Sequence, residues 1–140
     1  MKIFLSHKKP QDNSYKWASN LSMMDGMVLD NEATEIICED FVSSFSQEES
    51  IALFQKIFSK MRIGCVLTIS EVDSSVLFKK FYLEETTLDE LNSILFNNNQ
   101  KRKSVLNLQK IHESLPNGIQ VEEKYYDYNQ CRTVVKSRRK

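Results

Sequence analysis

Within residues 35–73 the hydrophobic period switches from a short apolar run to a helical stripe and back again, and that switch leaves a chain few choices. Thr34-Glu35-Ile36-Ile37-Cys38 is a β-rich run. Ser46, with Glu49 three residues on, forms a capping box that fixes where a helix starts. Ile51, Phe54, Ile57, Phe58 and Met61 then recur at helical spacing, which leaves Gln47, Glu48, Gln55, Lys56 and Lys60 for water. Gly64 is placed to close the helix in the left-handed conformation. Cys65-Val66-Leu67-Thr68-Ile69 supplies a second β-rich run. Strand, helix and strand make a βαβ unit with parallel strands and a right-handed crossover. The near-continuous apolar runs predict a sheet covered on both faces.

The flanking segments extend this unit. Lys2-Ile3-Phe4-Leu5-Ser6 reads as a first strand, followed by a polar loop, residues 6–14, that contains no glycine. Residues 15–24 carry Trp17, Leu21, Met23 and Met24 as apolar points but fit no single period. Asp25-Gly26 predicts a turn, with a short strand at Met27-Val28-Leu29 after it. Beyond Ile69, Ser70-Glu71-Val72-Asp73 ends the strand. Val76, Leu77, Phe78, Phe81 and Tyr82 make a short apolar helix or turn. Thr87 with Glu90 opens a second capping box, and Leu88, Leu91, Ile94 and Leu95 keep helical spacing up to Asn97-Asn98-Asn99. A basic loop, Asn99-Gln100-Lys101-Arg102-Lys103, follows and reads as solvated. Val105, Leu108, Ile111, His112 and Leu115 predict a helix starting after Ser104 and stopped by Pro116-Asn117-Gly118, with His112 buried on its apolar face. Ile119, Val121, Tyr125, Tyr126 and Tyr128 form a strand. Asn129-Gln130 turns, and residues 131–136 pair back in an antiparallel hairpin, leaving Ser137-Arg138-Arg139-Lys140 as a frayed basic tail.

At 140 residues the chain makes one domain, large enough to bury roughly two-thirds of its unfolded surface. Nineteen basic residues balance nineteen acidic ones, so no overall field draws the protein to nucleic acid or a membrane, and any charged site is local. Cys38, Cys65 and Cys131 are odd in number and far apart, and the first two lie within apolar runs. They match no zinc-ligand spacing and read as reduced core thiols; no metal site is expected. No apolar run approaches the roughly 20 residues that cross a bilayer, and the start is too short for a signal peptide. The expected location is cytoplasmic.

Taken in order, Glu35-Ile36-Ile37, Ser43-Ser44, the helix from Ser46, Arg62-Ile63-Gly64-Cys65, Asp73 and the closing hairpin around Gly118-Ile119-Gln120-Val121 and Cys131-Arg132-Thr133-Val134-Val135 resemble the class I S-adenosylmethionine-dependent methyltransferase domain. The resemblance implies an α/β fold, a three-layer Rossmann-like sandwich in which residues 3–6, 34–38 and 65–69 lie parallel and the final hairpin antiparallel. It implies a cofactor site made from Ser6, His7, Glu39, Glu71 and Asp73. It names no catalytic residue and no substrate.

Within that resemblance the departures fall on the cofactor site. The family's first strand runs into a glycine-rich loop, because glycine lets the backbone approach the cofactor closely. Here Ser6-His7-Lys8-Lys9-Pro10 stands at that place, and its lysines set positive charge beside a sulfonium. Trp17-Ala18-Ser19-Asn20-Leu21 offers no acid for the ribose, and the usual Glu-His pair is Ser43-Ser44. Three readings follow. The first is a pseudoenzyme that binds no cofactor and serves as an interaction or regulatory module, as a homodimer or with a protein partner. The second is a working methyltransferase using S-adenosylmethionine. The third is a small protein that binds an anion through His7, Lys8 and Lys9. The tyrosines at 125, 126 and 128 with Arg138 and Arg139 could stack on single-stranded nucleic acid, but half-buried strand residues are the simpler reading.

Overall fold

The computed structural model describes residues 1–97 and 101–140. Its strands are β1 (Lys2–Leu5), β2 (Lys16–Ala18), β3 (Ala33–Glu39), β4 (Met61–Val72), β5 (Ile119–Asp127) and β6 (Arg132–Arg139). They form one sheet in the order β2-β1-β3-β4-β6-β5. β1 pairs in parallel with β2 and β3, and β3 with β4, so Ile3, Ile36 and Leu67 lie side by side. β6 runs antiparallel to both β4 and β5. The mixed α/β sheet, its parallel half and its antiparallel C-terminal hairpin are those predicted from the sequence.

Among the described residues, five α-helices connect the strands: α1 (Leu21–Met27), α2 (Gln47–Lys60), α3 (Ser74–Tyr82), α4 (Leu88–Asn92) and α5 (Leu108–Ser114), with a 3-10 turn at Val42–Ser44 and a π-helical turn at Ser93–Asn97. The Ser46–Glu49 capping box is formed in both directions. Along each strand, alternate side chains face the two sides of the sheet. One side presents Ile3, Leu5, Ile36, Cys38, Cys65, Leu67, Ile69 and Val135, all wholly buried. They form one core with Met24 and Val28 around α1, Leu53, Phe54 and Ile57 of α2, and Leu108 and Ile111 of α5. The other side presents Phe4, Ile37, Val66, Thr68 and Val134, which are half-buried and outside that core. Its middle is a trough of about 470 Å³ lined only by strand residues, among them Val66, Thr68, Tyr125 and Lys136. The helix cover is therefore uneven between the two faces. A smaller cluster of Val72, Val76, Leu77, Leu91, Leu95 and Cys131 closes the far end of β4. All three cysteines are free and buried.

Several boundaries differ from those expected. Asp25-Gly26 is not a turn but part of α1, which Asn20 caps through its side chain, and residues 27–29 form no strand. Gly64 does not end a helix. It lies inside β4 with φ +83°, where the register against β3 slips between Ala33 and Glu35, so it serves a bulge. The α2 stripe is rotated: Leu53 is buried and Ile51 is 65% exposed. α5 starts at Leu108 under an Asn107 cap, not after Ser104, and His112 is exposed with Nδ1 3.2 Å from Lys124 Nζ. The tail is not frayed, because β6 continues to Arg139. Asn98 and Asn99 of the expected break Asn97-Asn98-Asn99, and Asn99-Gln100 at the start of the expected basic loop, lie outside the described residues.

Candidate functional site

The order of strands locates the place where a ligand would sit. From β1 the chain moves outward to β2 and then returns past β1 to β3, so the connections leaving β1 and β3 run to opposite faces. Open α/β sheets bind ligands in the crevice that this divergence leaves at the carboxyl ends of the strands. Here the crevice lies between the loop after Leu5 and the turn after Glu39.

Its first wall is the glycine-free loop. Ser6 is 5% exposed, and its hydroxyl donates to the Lys8 carbonyl while its own carbonyl accepts from Trp17 Nε1 at 3.1 Å. The next side chain crosses the gap: His7 Nε2 hydrogen-bonds Ser44 Oγ, and the imidazole lies 6.0 Å from the Phe41 ring. His7 Nδ1 is buried without a partner. Burial, and then the charge of Lys101, lower the His7 pKa, with Asp40 opposing them. Lys8 and Lys9 remain exposed.

The second wall is acidic. Glu39, the last residue of β3, is exposed and shares the face of Ile37. Asp40 follows in the left-handed region, φ +50°, which turns its carboxylate onto Arg132. The guanidinium forks both oxygens at 2.9 and 3.2 Å and also reaches Ser70 Oγ. Glu71 is wholly buried. Its Oε1 accepts from the Ser43 amide at 3.1 Å, and its Oε2 has no partner. Burial first, then the neighbouring charge of Asp40, push its pKa up to about 7.

Asp73 is also wholly buried, and both its oxygens are engaged. Oδ1 accepts from the amides of Ser75 and Val76 and so caps α3, while Oδ2 accepts from the Leu108 amide at the start of α5. The carboxylate that sequence reasoning offered to a ribose thus joins two helices. Of the five candidate residues, Ser6 and His7 line one wall, Glu39 and Glu71 belong to the other, and Asp73 stands apart as a structural cap.

Sequence reasoning passed over Arg102 and Arg132. Arg102 is not solvated as its basic loop predicts: Nε donates to the Leu95 carbonyl at 2.5 Å, and the guanidinium interacts electrostatically with Glu71 and Asp40. Nothing in a Lys-Arg-Lys run marks its middle residue for burial. Arg132 sits opposite Val72 where β6 pairs with β4, and its partner Asp40 is far off in sequence. Among the described residues no group of three or more His, Cys, Asp or Glu could hold a metal ion, and no helix is long and apolar enough to cross a membrane.

No protein-family model and no curated protein matches the chain. Solved structures do. A SAM-dependent methyltransferase from Archaeoglobus fulgidus superposes with a TM-score of 0.57 at 9% identity, over 92% of this chain and 70% of that one. An S-adenosylmethionine-dependent methyltransferase from Mesorhizobium loti gives 0.57 at 11%, over 99% and 80%. Magnesium protoporphyrin IX methyltransferase from Synechocystis, with bound SAH, gives 0.54 at 15%, over 90% and 51%. The chain spans about half the length of some of these structures. Identities this low speak for architecture alone, and the architecture is that of the class I methyltransferase-like fold.

Proposed function

We propose that this chain is a methyltransferase-like domain whose cofactor crevice is closed by its own side chains, and that it acts as an interaction or regulatory module. The observation that carries this reading is the His7–Ser44 hydrogen bond. It spans the crevice at the point where a bound cofactor would need the loop after β1 to draw back. The other candidate contacts support it. Ser6 is sealed against Lys8 and Trp17, Asp73 is spent on two helices, and Glu71 lies beneath the surface. The residues present do not fit S-adenosylmethionine. Glu39 alone among the candidate acids stands exposed.

Calorimetric titration with S-adenosylmethionine and S-adenosylhomocysteine tests the reading. The expected result is no binding in the micromolar range, with weak binding gained in His7→Gly, where the bridge is removed. Micromolar binding by the wild-type chain that is lost in Glu39→Ala would overturn the proposal and return the chain to the working methyltransferases.

A further inference from the structure

α3 carries an aromatic stripe on its outer side. Val76 and Leu77 bury its inner side in the cluster that holds Leu91 and Leu95. Phe78, Phe81 and Tyr82, which spacings of three and four residues set on one face, are instead 47, 43 and 84% exposed. At about 200 Å² for a whole aromatic side chain, these three leave on the order of 350 Å² of apolar surface in water. Leu83 beside them is exposed as well. On a single domain a patch of that size marks an interaction surface.

The charges around the stripe are ordered. Residues 79–85 read Lys79-Lys80-Phe81-Tyr82-Leu83-Glu84-Glu85, basic before Tyr82 and acidic after it. A Schellman motif fixes the acidic half at the helix end: the Glu84 amide donates to the Phe81 carbonyl at 3.1 Å, and the Glu85 amide to the Lys80 carbonyl at 2.9 Å. Its left-handed position, which usually takes glycine, holds Glu84 at φ +60°. Acidic side chains at a helix C-terminus oppose the macrodipole. Among the described residues, Lys79, Lys80, Glu84 and Glu85 take part in no ion pair. Lys80 Nζ lies 4.5 Å over the Tyr128 ring, and the Tyr128 hydroxyl donates to Glu85 at 2.6 Å. One tyrosine therefore holds a basic and an acidic group in place beside the stripe.

We infer that residues 78–85 form the interface of a homodimer whose two-fold axis passes at Tyr82. Such an axis lays a second copy of α3 antiparallel on the first and makes the patch its own partner. It also reverses the order of charge. Lys79 then faces the partner's Glu85, Lys80 the partner's Glu84 and Phe81 the partner's Leu83, while the two Tyr82 rings meet on the axis. A balanced, self-complementary patch suits a copy of this chain better than an anionic membrane, which Glu84 and Glu85 would repel. The apolar centre and its four charged neighbours approach the area of about 800 Å² that each partner gives to a standard interface, so the expected association is micromolar. The interface stands whether or not the crevice takes S-adenosylmethionine.

Sedimentation equilibrium of the full chain tests this, with thermal unfolding as the check that each variant folds. The wild type should be dimeric at about 100 μM and dissociate below about 1 μM. Tyr82→Arg sets two like charges on the axis. It should weaken association at least about tenfold, while melting with the wild type under dilute, monomeric conditions. The pair Lys79→Glu, Lys80→Glu and the pair Glu84→Lys, Glu85→Lys should each be monomeric alone. Mixed, the two chains should form a one-to-one heterodimer, because every facing pair is then opposite in sign. Where a charge reversal fails to fold, Tyr82→Arg decides alone. A wild type that stays monomeric at the upper concentration would leave the patch to another protein or a lipid surface and overturn the inference. So would a dimer that survives Tyr82→Arg or the charge reversals, and so would folded charge-reversed chains that stay monomeric when mixed.

Discussion

A carboxyl group sealed from water resists ionisation, and Glu71 lies deep enough for the whole chain to feel its proton. Its folded pKa of about 7 stands above the ordinary 4.5, so the stability that it contributes is full below 4.5 and is lost as pH rises through about 7. Glu71→Gln removes that dependence. In urea denaturation between pH 4.5 and 8, the wild type should lose on the order of 3 kcal/mol relative to the variant. A difference that stays flat over the range would refute the assignment. Two residues of α2 separate the buried stripe from the expected one. Phe54 is 2% exposed, and Phe54→Ala should cost about 3–5 kcal/mol. Ile51→Ala should cost less than about 0.5 kcal/mol, as exposed substitutions do. The sequence made both residues candidates because both keep helical spacing. It could not show that Leu53, rather than Ile51, joins Phe54 and the expected Ile57 on the side facing the sheet. Asp73 and Arg102 were illegible for a related reason: their partners, Leu108 and Leu95, are backbone groups that no side-chain pattern encodes.

Elements with two agreeing local signals were legible, and elements with conflicting signals were not. α2 had a capping box and a long apolar stripe, and α4 had the Thr87 cap with Glu90, which is observed. α1 had Asn20 to start it but also Asp25-Gly26, a dipeptide that usually marks a turn. Tertiary contact settles the conflict: Asp25 pairs with Lys56 and Lys60 of α2, at 3.2 and 3.1 Å, and Met24 is buried in the core. The two glycines should therefore respond in opposite ways. Gly26 is helical with open space around a would-be Cβ, so Gly26→Ala should stabilise the protein by about 0.4–1 kcal/mol. Gly64 also has open space, but its φ is +83°, so Gly64→Ala should cost about 1 kcal/mol through backbone strain alone. Thermal unfolding of the two variants measures both. If Gly26→Ala destabilised as much as Gly64→Ala, residues 25–26 would be the turn that the dipeptide suggests.

Across the whole molecule the parallel half of the sheet was readable, because β3, α2 and β4 carry continuous apolar runs joined by one crossover. Uneven cover of the two faces was not. Val66, Thr68 and Val134 look as apolar in sequence as their buried neighbours Cys65, Leu67 and Val135, and only the placement of helices separates them. The same limit applies to the C-terminal residues, which a basic composition marks as frayed although they lie on an inner strand. β6 is held between β4 and β5, with Ser137 wholly buried and its hydroxyl donating to the Leu67 carbonyl at 3.3 Å. Arg139 covers the Phe58 ring at 4.3 Å and donates to Asn31 Oδ1 at 2.7 Å and to the carbonyls of Phe58 and Met61. It thereby joins the start of β4 to the end of α2 and to the turn before β3. A variant ending at Lys136 loses the pairing of Leu67 and Val66 with β6 as well as these contacts. At roughly 1 kcal/mol for each lost hydrogen bond, the cost should be about 4 kcal/mol or more, seen as a lower urea midpoint in a transition that remains single. A frayed tail would instead leave the midpoint unchanged, which would show that β6 ends before Ser137 and that β5 is tied to the sheet by its second half, residues 123–127, alone.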